Sequence, residues 1–122
     1  TLPFAEAEPG ATGLELLLSL ALKWRDDQSD QGNDGLMRAL EVLTSAPARV
    51  LGASLGTLAA SAGQLVRGGV ADVCVFDAAA GWTPEPSALR SQGKHTPFSN
   101  HHLPGKVRYT LVGGHMAFDA AA

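Results

Sequence analysis

The stretch Leu14–Leu22, LELLLSLAL, is apolar in almost every direction around a helix, and that feature limits what the chain can become. It is shorter than the ~20 residues needed to cross a bilayer, with Glu15 inside it and Lys23 directly after it. A membrane is therefore not its partner. The expectation is a helix from about Gly13 to Trp24, buried on several sides by neighbours this chain must find within itself or elsewhere. Thr12 and Glu15 have the S/T-x-x-E spacing of a capping box, in which hydroxyl and carboxylate each satisfy a free amide at the helix start.

The next residues, Arg25 to Gly35, are polar and without period, so they read as an exposed loop. Leu36, Leu40 and Leu43 then recur at helical spacing, with Arg38 and Glu41 off that face, which predicts an amphipathic helix over about 35–44. Ser45 and Pro47 suit the start of a third helix and Gly52 its end. Residues 52–63 dissolve into Gly, Ala and Ser and read as a loop. Beyond them the period falls to two. Asp72–Asp77 and Lys106–Val112 read as strands, and Gly113-Gly114 can take the positive backbone angles of a tight hairpin turn leading to a strand over Met116–Phe118.

Helices first and strands last make an α+β chain. Two or three strands cannot close a sandwich alone, so an apolar face and bare edges are expected to seek partners, including further copies of this chain. The 122 residues, 45% hydrophobic, suffice for a small core, and disorder is not expected. Nine scattered Lys and Arg within a net charge of −3 provide no basic patch, which argues against nucleic acid. Cys74 stands alone, which rules out an internal disulfide and suits a reducing cytoplasm; inside VCVF it is expected in the core.

Chemistry is sparse. The histidines are His95, His101, His102 and His115, with no H-x-H, H-E-x-x-H or Cys/His spacing, and adjacent side chains such as His101 and His102 diverge in an extended segment. Solvated loop histidines and no metal bound by this chain are the expectation. Asp72 and Asp77 flank a strand and suit turn and capping roles better than acid–base work. No catalytic residue is assigned.

Three segments carry a resemblance. LPFAEAEPGATGLE (Leu2–Glu15), GQLVRGGVADVCVFD (Gly63–Asp77) and SQGKHTPFSNHHLPGKVRYTLVGG (Ser91–Gly114) are similar, in that order, to the last third of dihydroorotases and related amidohydrolases. APARVLG (Ala46–Gly52) resembles the family's NPARxxG motif with Ala46 in place of Asn, and His95 and Asn100 stand where the family usually has Asn and Gly. Starting at Thr1 inside a family motif is expected of a C-terminal fragment.

The resemblance implies that residues 1–52 are the last helices of a (β/α)8 metal-dependent hydrolase barrel. It also implies that 53–122 are the C-terminal half of a composite β-sandwich whose other strands belong to the missing N-terminal part of the same protein. The implied activity is the zinc-dependent interconversion of N-carbamoyl-L-aspartate and L-dihydroorotate in pyrimidine biosynthesis, with the metal ligands outside this stretch, so that the fragment itself is inactive. LPFAEAEPGATGLE followed by LLLSLALKW is especially similar to the dihydroorotase-like subunits that accompany bacterial aspartate carbamoyltransferase, which gives the alternative: a non-catalytic assembly partner of that enzyme. The resemblance also places Pro9 and Gly10 where a loop of the family meets substrate through its main chain. Glycine permits close backbone approach, and a following helix N-terminus favours an anion. A plain loop leading into a helix would use the same residues.

Overall fold

The computed structural model describes residues 10–27 and 32–121. A 3-10 turn at Leu14–Leu16 runs directly into α1 (Leu17–Asp27), followed by α2 (Gly32–Glu41), α3 (Ser45–Leu51) and a kinked 3-10 segment at Gly52–Ala60. Strands β1 (Val73–Trp82), β2 (Leu103–Val112) and β3 (His115–Asp119) form one antiparallel sheet in the order β1-β2-β3, so the chain is α+β. Among the described residues no helix is long and apolar enough to cross a membrane.

The helices form where apolar spacing predicts them, but their ends differ. The polar run expected as a loop over 25–35 is largely helical, because α1 continues to Asp27 and α2 begins at Gly32; residues 28–31 lie outside the described ones. Propensity explains the end of α1, where Lys, Arg and Asp disfavour a helix far less than Gly or Pro and Lys23–Asp27 adds an ion pair one turn apart; it does not explain the start of α2, which contains Gly32 and Gly35. The Gly/Ala/Ser stretch also differs from its expected loop. It winds as 3-10 helix and kinks at Gly56, since small side chains do not oppose the tighter turn. On α3, Arg49 reaches back to Glu41 of α2 at 2.7 Å.

Both paired seams of the sheet contain irregularities. Between β1 and β2 the register passes from Asp77↔Lys106 to Gly81↔Pro104, so Ala78, Ala79 and Ala80 bulge opposite Gly105 alone. Asp77 makes this tolerable by accepting the amides of Ala79 and Ala80 at 3.0 and 3.1 Å, and Arg108 also reaches it. Those bonds, the Ala79 amide first, hold the Asp77 carboxyl below its usual range. Asp72 has a matching duty: its carboxylate accepts the amide of Gly113 at 2.7 Å and ties β1 to the hairpin turn. Gly113 and Gly114 take φ of 55° and 81° there, as the turn requires. Both aspartates serve the backbone.

The core lies between the start of α1, the 83–102 connection and the start of β2. Leu16, Leu89 and Leu103 are its buried members, and Leu20, Trp82 and Phe98 pack against them. Farther along α1, Leu22 packs on β2 where Gly105 has no side chain, and the buried Ser19 hydroxyl joins three elements. It donates to the Gly105 carbonyl at 3.0 Å and accepts from the Trp82 indole at 2.9 Å.

One side of α1 is thus covered. Another part is not: Leu14, in the turn before it, is 89% exposed, Leu17 51% and Trp24 42%. The expected burial on several sides is met in part: among the described residues α1 packs against both β2 and α2, and the rest of its surface stays bare. The sheet shows the same deficit. Val75 and Tyr109 pair across β1 and β2 yet both are exposed, and among the described residues β1 and β3 each have one edge without a neighbouring strand. Cys74 shares that situation; it is exposed on edge strand β1, not in the core, because the described residues cover its face only in part. Partial burial still pushes its thiol up, against a weaker opposing bond with Thr110.

Candidate functional site

Two stretches far apart in sequence meet at the start of α1. The Thr12 amide donates to the His95 carbonyl at 2.7 Å. One turn on, the two Glu15 oxygens accept the amides of Arg90 at 2.9 Å and Ser91 at 2.6 Å, and the Ser91 hydroxyl donates to Glu15 as well. The expected capping box is therefore absent: the helix start at Gly13 has no side-chain cap, and Glu15 serves the 90–95 segment instead. Packing explains the change. The burial of Leu16 and Leu89 in one cluster brings that segment's bare amides within reach of the carboxylate, which satisfies two of them at once.

Burial opposes the Glu15 charge, but the Ser91 hydroxyl, the Arg90 and Ser91 amides and the Lys94 ammonium together hold its carboxyl below the usual range. A folded-state value below the unfolded one contributes stability above the ordinary glutamate range, and that contribution is lost as the pH falls through the folded value. Across the same segment, Lys94 donates to the Leu89 carbonyl at 2.5 Å, so residues 89–94 are braced internally.

Beside this junction, α1, the sheet and the 82–90 connection enclose an open cleft of about 530 Å3. Trp82, Val107 and Phe118 supply apolar wall, while Arg90 and Lys106 bring positive charge. The Arg90 guanidinium stacks 5.8 Å above the Phe118 ring, an attractive cation–π arrangement. Glu15 and Ser19 also line the cleft, but their oxygens already serve Arg90, Ser91, Gly105 and Trp82. The cleft can hold a ligand. Among the described residues that line it there is no nucleophile–base pair.

Of the residues singled out for substrate, Pro9 lies outside the described residues, and Gly10 is exposed with open space where a side chain would begin. The backbone at Gly10 is thus open to close approach. The four histidines are all exposed and do not converge. His101 bonds the Ser99 carbonyl and stacks edge-on with Phe98, whereas the His102 ring lies over Gly81, so the adjacent pair diverges. Asn100 sits at φ 64°, the left-handed conformation that asparagine tolerates where the similar family motif has glycine.

Among the described residues no three His, Cys, Asp or Glu side chains are grouped to hold a metal ion. These residues therefore do not fit a zinc centre, and no metal-assisted step is assigned to them. What sequence reasoning missed is the Glu15–Ser91 junction and the Arg90 stack. For Arg90 there was no signal; for Glu15 the local capping pattern hid the distant partner.

No protein-family model matches the chain. It is 40% identical over 116 residues to a dihydroorotase of Anaeromyxobacter dehalogenans (strain 2CP-C), a match covering 95% of this chain and 24% of that protein. A dihydroorotase-like protein of Pseudomonas aeruginosa is 40% identical over 117 residues, 96% of this chain and 25% of its own length. A dihydroorotase of Geobacter metallireducens is 33% identical over 117 residues, with the same coverage. The chain spans about a quarter of the length of the curated relatives it matches.

Proposed function

We propose that this chain is the C-terminal part of a dihydroorotase, which in the intact protein interconverts N-carbamoyl-L-aspartate and L-dihydroorotate in pyrimidine biosynthesis. The observation that carries this reading is the 40% identity sustained over 95% of the chain with proteins of that name. Residues 1–52 are then the last helices of the barrel, and 53–122 half of a β-domain completed by strands from the N-terminal part of the same protein. The bare edges of β1 and β3 and the exposed side of α1 support this, because each presents a surface that such neighbours would cover.

In this reading zinc, held by residues outside these 122, would polarise the amide carbonyl and lower the pKa of an attacking water. This chain's own share is to bind and orient: the backbone at Gly10, with open space where a side chain would begin, would meet the substrate. A polypeptide of residues 1–122 alone is expected to show no turnover in either direction, with or without added zinc. Zinc-dependent turnover by that purified polypeptide would show that the catalytic groups are here after all.

A second reading has its own support. The chain matches dihydroorotase-like proteins of Pseudomonas aeruginosa and Pseudomonas putida at 40% and 41% identity, as well as it matches the proteins named dihydroorotase. On that reading the intact protein is a non-catalytic subunit assembled with aspartate carbamoyltransferase. The deciding experiment purifies the protein from its whole reading frame and measures zinc content, dihydroorotate turnover and co-purification with carbamoyltransferase. Stoichiometric zinc, an upstream H-x-H pair and turnover support the enzyme; a stable complex without turnover supports the subunit. A protein with neither property would remove both.

The exposed Leu14, Leu17 and Trp24 and the bare strand edges also lead us to expect that residues 1–122 self-associate at high concentration. Sedimentation should show dimers or larger species. A compact monomer at every concentration would mean that the apolar side of α1 needs no cover.

A further inference from the structure

We infer that Glu15 is a positioning residue for the Gly10 loop: through Arg90 and Ser91 it fixes the segment whose His95 carbonyl holds Thr12, and so sets where the loop stands without touching substrate. The inference rests on the reading above, in which the backbone at Gly10 meets substrate.

The geometry is a two-point clamp. Residues 12 and 15 of one stretch are tied to 95 and to 90 and 91 of the other, and Lys94 braces the second stretch against the Leu89 carbonyl. The ties close a small ring, so releasing Glu15 removes one of its two sides and leaves the Thr12–His95 bond to hold the stretches together there. Contact between the ties is close. A side-chain carbon on Gly93 would lie 2.6 Å from the Thr12 hydroxyl oxygen, so the two stretches touch with no room between them.

Gly10 itself has nothing packed where a side chain would begin. Between it and the core, the ties at Thr12 and Glu15 are the polar links that the described residues show. The helix start also goes without a side-chain cap, a local stabilisation that the Thr12 and Glu15 spacing could have supplied. A carboxylate placed for capping but committed across the fold is explained by the segment it holds.

The test uses the protein from its whole reading frame with Glu15→Gln, Ser91→Ala and, as a control, Asp72→Asn. Asp72 ties a backbone amide in the same chemical manner, but at the far hairpin. Glu15→Gln is expected to raise KM for dihydroorotate about tenfold and Ser91→Ala about threefold, with kcat and zinc content unchanged, because the lost charge-assisted bonds act on binding geometry. Amide hydrogen exchange at Thr12 should accelerate in the same order. Asp72→Asn should lower stability while leaving KM and Thr12 exchange as they are.

Unchanged Thr12 exchange in Glu15→Gln would overturn the clamp, and faster exchange with an unchanged KM would overturn its role at the loop. A wild-type protein without turnover would instead remove the substrate reading. The same exchange measurement on residues 1–122 would then decide the clamp by itself.

Discussion

Gly105→Ala is expected to destabilise the packing of α1 on the sheet by about 3 kcal/mol, the sum of a left-handed backbone penalty and an overpacked contact. Gly105 has φ 85°, and a side-chain carbon there would lie 2.4 Å from Leu22 Cδ1. Leu22 is fully buried and cannot swing into solvent. The Gly105 carbonyl also receives the Ser19 hydroxyl, so a shift of α1 away from the new methyl breaks that bond and disturbs the Trp82 indole behind it. Gly68→Ala is the comparison. Gly68 has φ 82° with open space around it, so its substitution carries the backbone penalty alone, about 1–2 kcal/mol. Denaturant unfolding of both variants measures the difference. Equal losses would mean that Leu22 is not seated against β2.

Leu16→Ala should cost about 3 kcal/mol, within the range for removing a buried leucine side chain, whereas Leu17→Ala should cost less than about 1 kcal/mol in residues 1–122. Leu16 is 0% exposed among Leu89 and Leu103; Leu17, its neighbour, is 51% exposed. The pair reports which side of α1 faces inward. In the protein from its whole reading frame the two should converge, since a covered Leu17 would lose comparable apolar contact. A Leu17→Ala variant as harmless there as in residues 1–122 would argue against the cover that the proposed barrel provides.

Much of the architecture was legible because local chemistry decides it. The spacing of Leu36 and Leu40 marked α2, although Leu43, read with them, falls in the turn after Glu41; Pro47 with Gly52 bracketed α3. Gly113-Gly114 marked the hairpin, whose angles few other residues adopt cheaply. Asp72 and Asp77 were read as backbone partners, and both are. The extension of β1 to Trp82 was not legible. Ala78, Ala79 and Ala80 have weak strand preference, and their place is set by the bulge opposite Gly105 and by the Asp77 carboxylate. Cys74 was misjudged for a related reason: an apolar strand pattern says which residues can be buried, not whether anything arrives to bury them.

By itself, then, the sequence determined the order of helices before strands, the hairpin, and the scarcity of metal-ligand spacing, all consequences of residue chemistry acting over a few positions, while it misread the 25–35 and 52–63 stretches as loops. Only the tertiary structure decided the rest: that Glu15 abandons its own helix for Arg90 and Ser91, that Ser19 bonds both Gly105 and Trp82, and that Arg90 stacks on Phe118. These pairings span 28 to 86 residues of chain. A polar side chain takes whichever partner the packed core brings within about 3 Å, and that choice is made by the burial of Leu16, Leu89 and Leu103 together, not by the residues beside it.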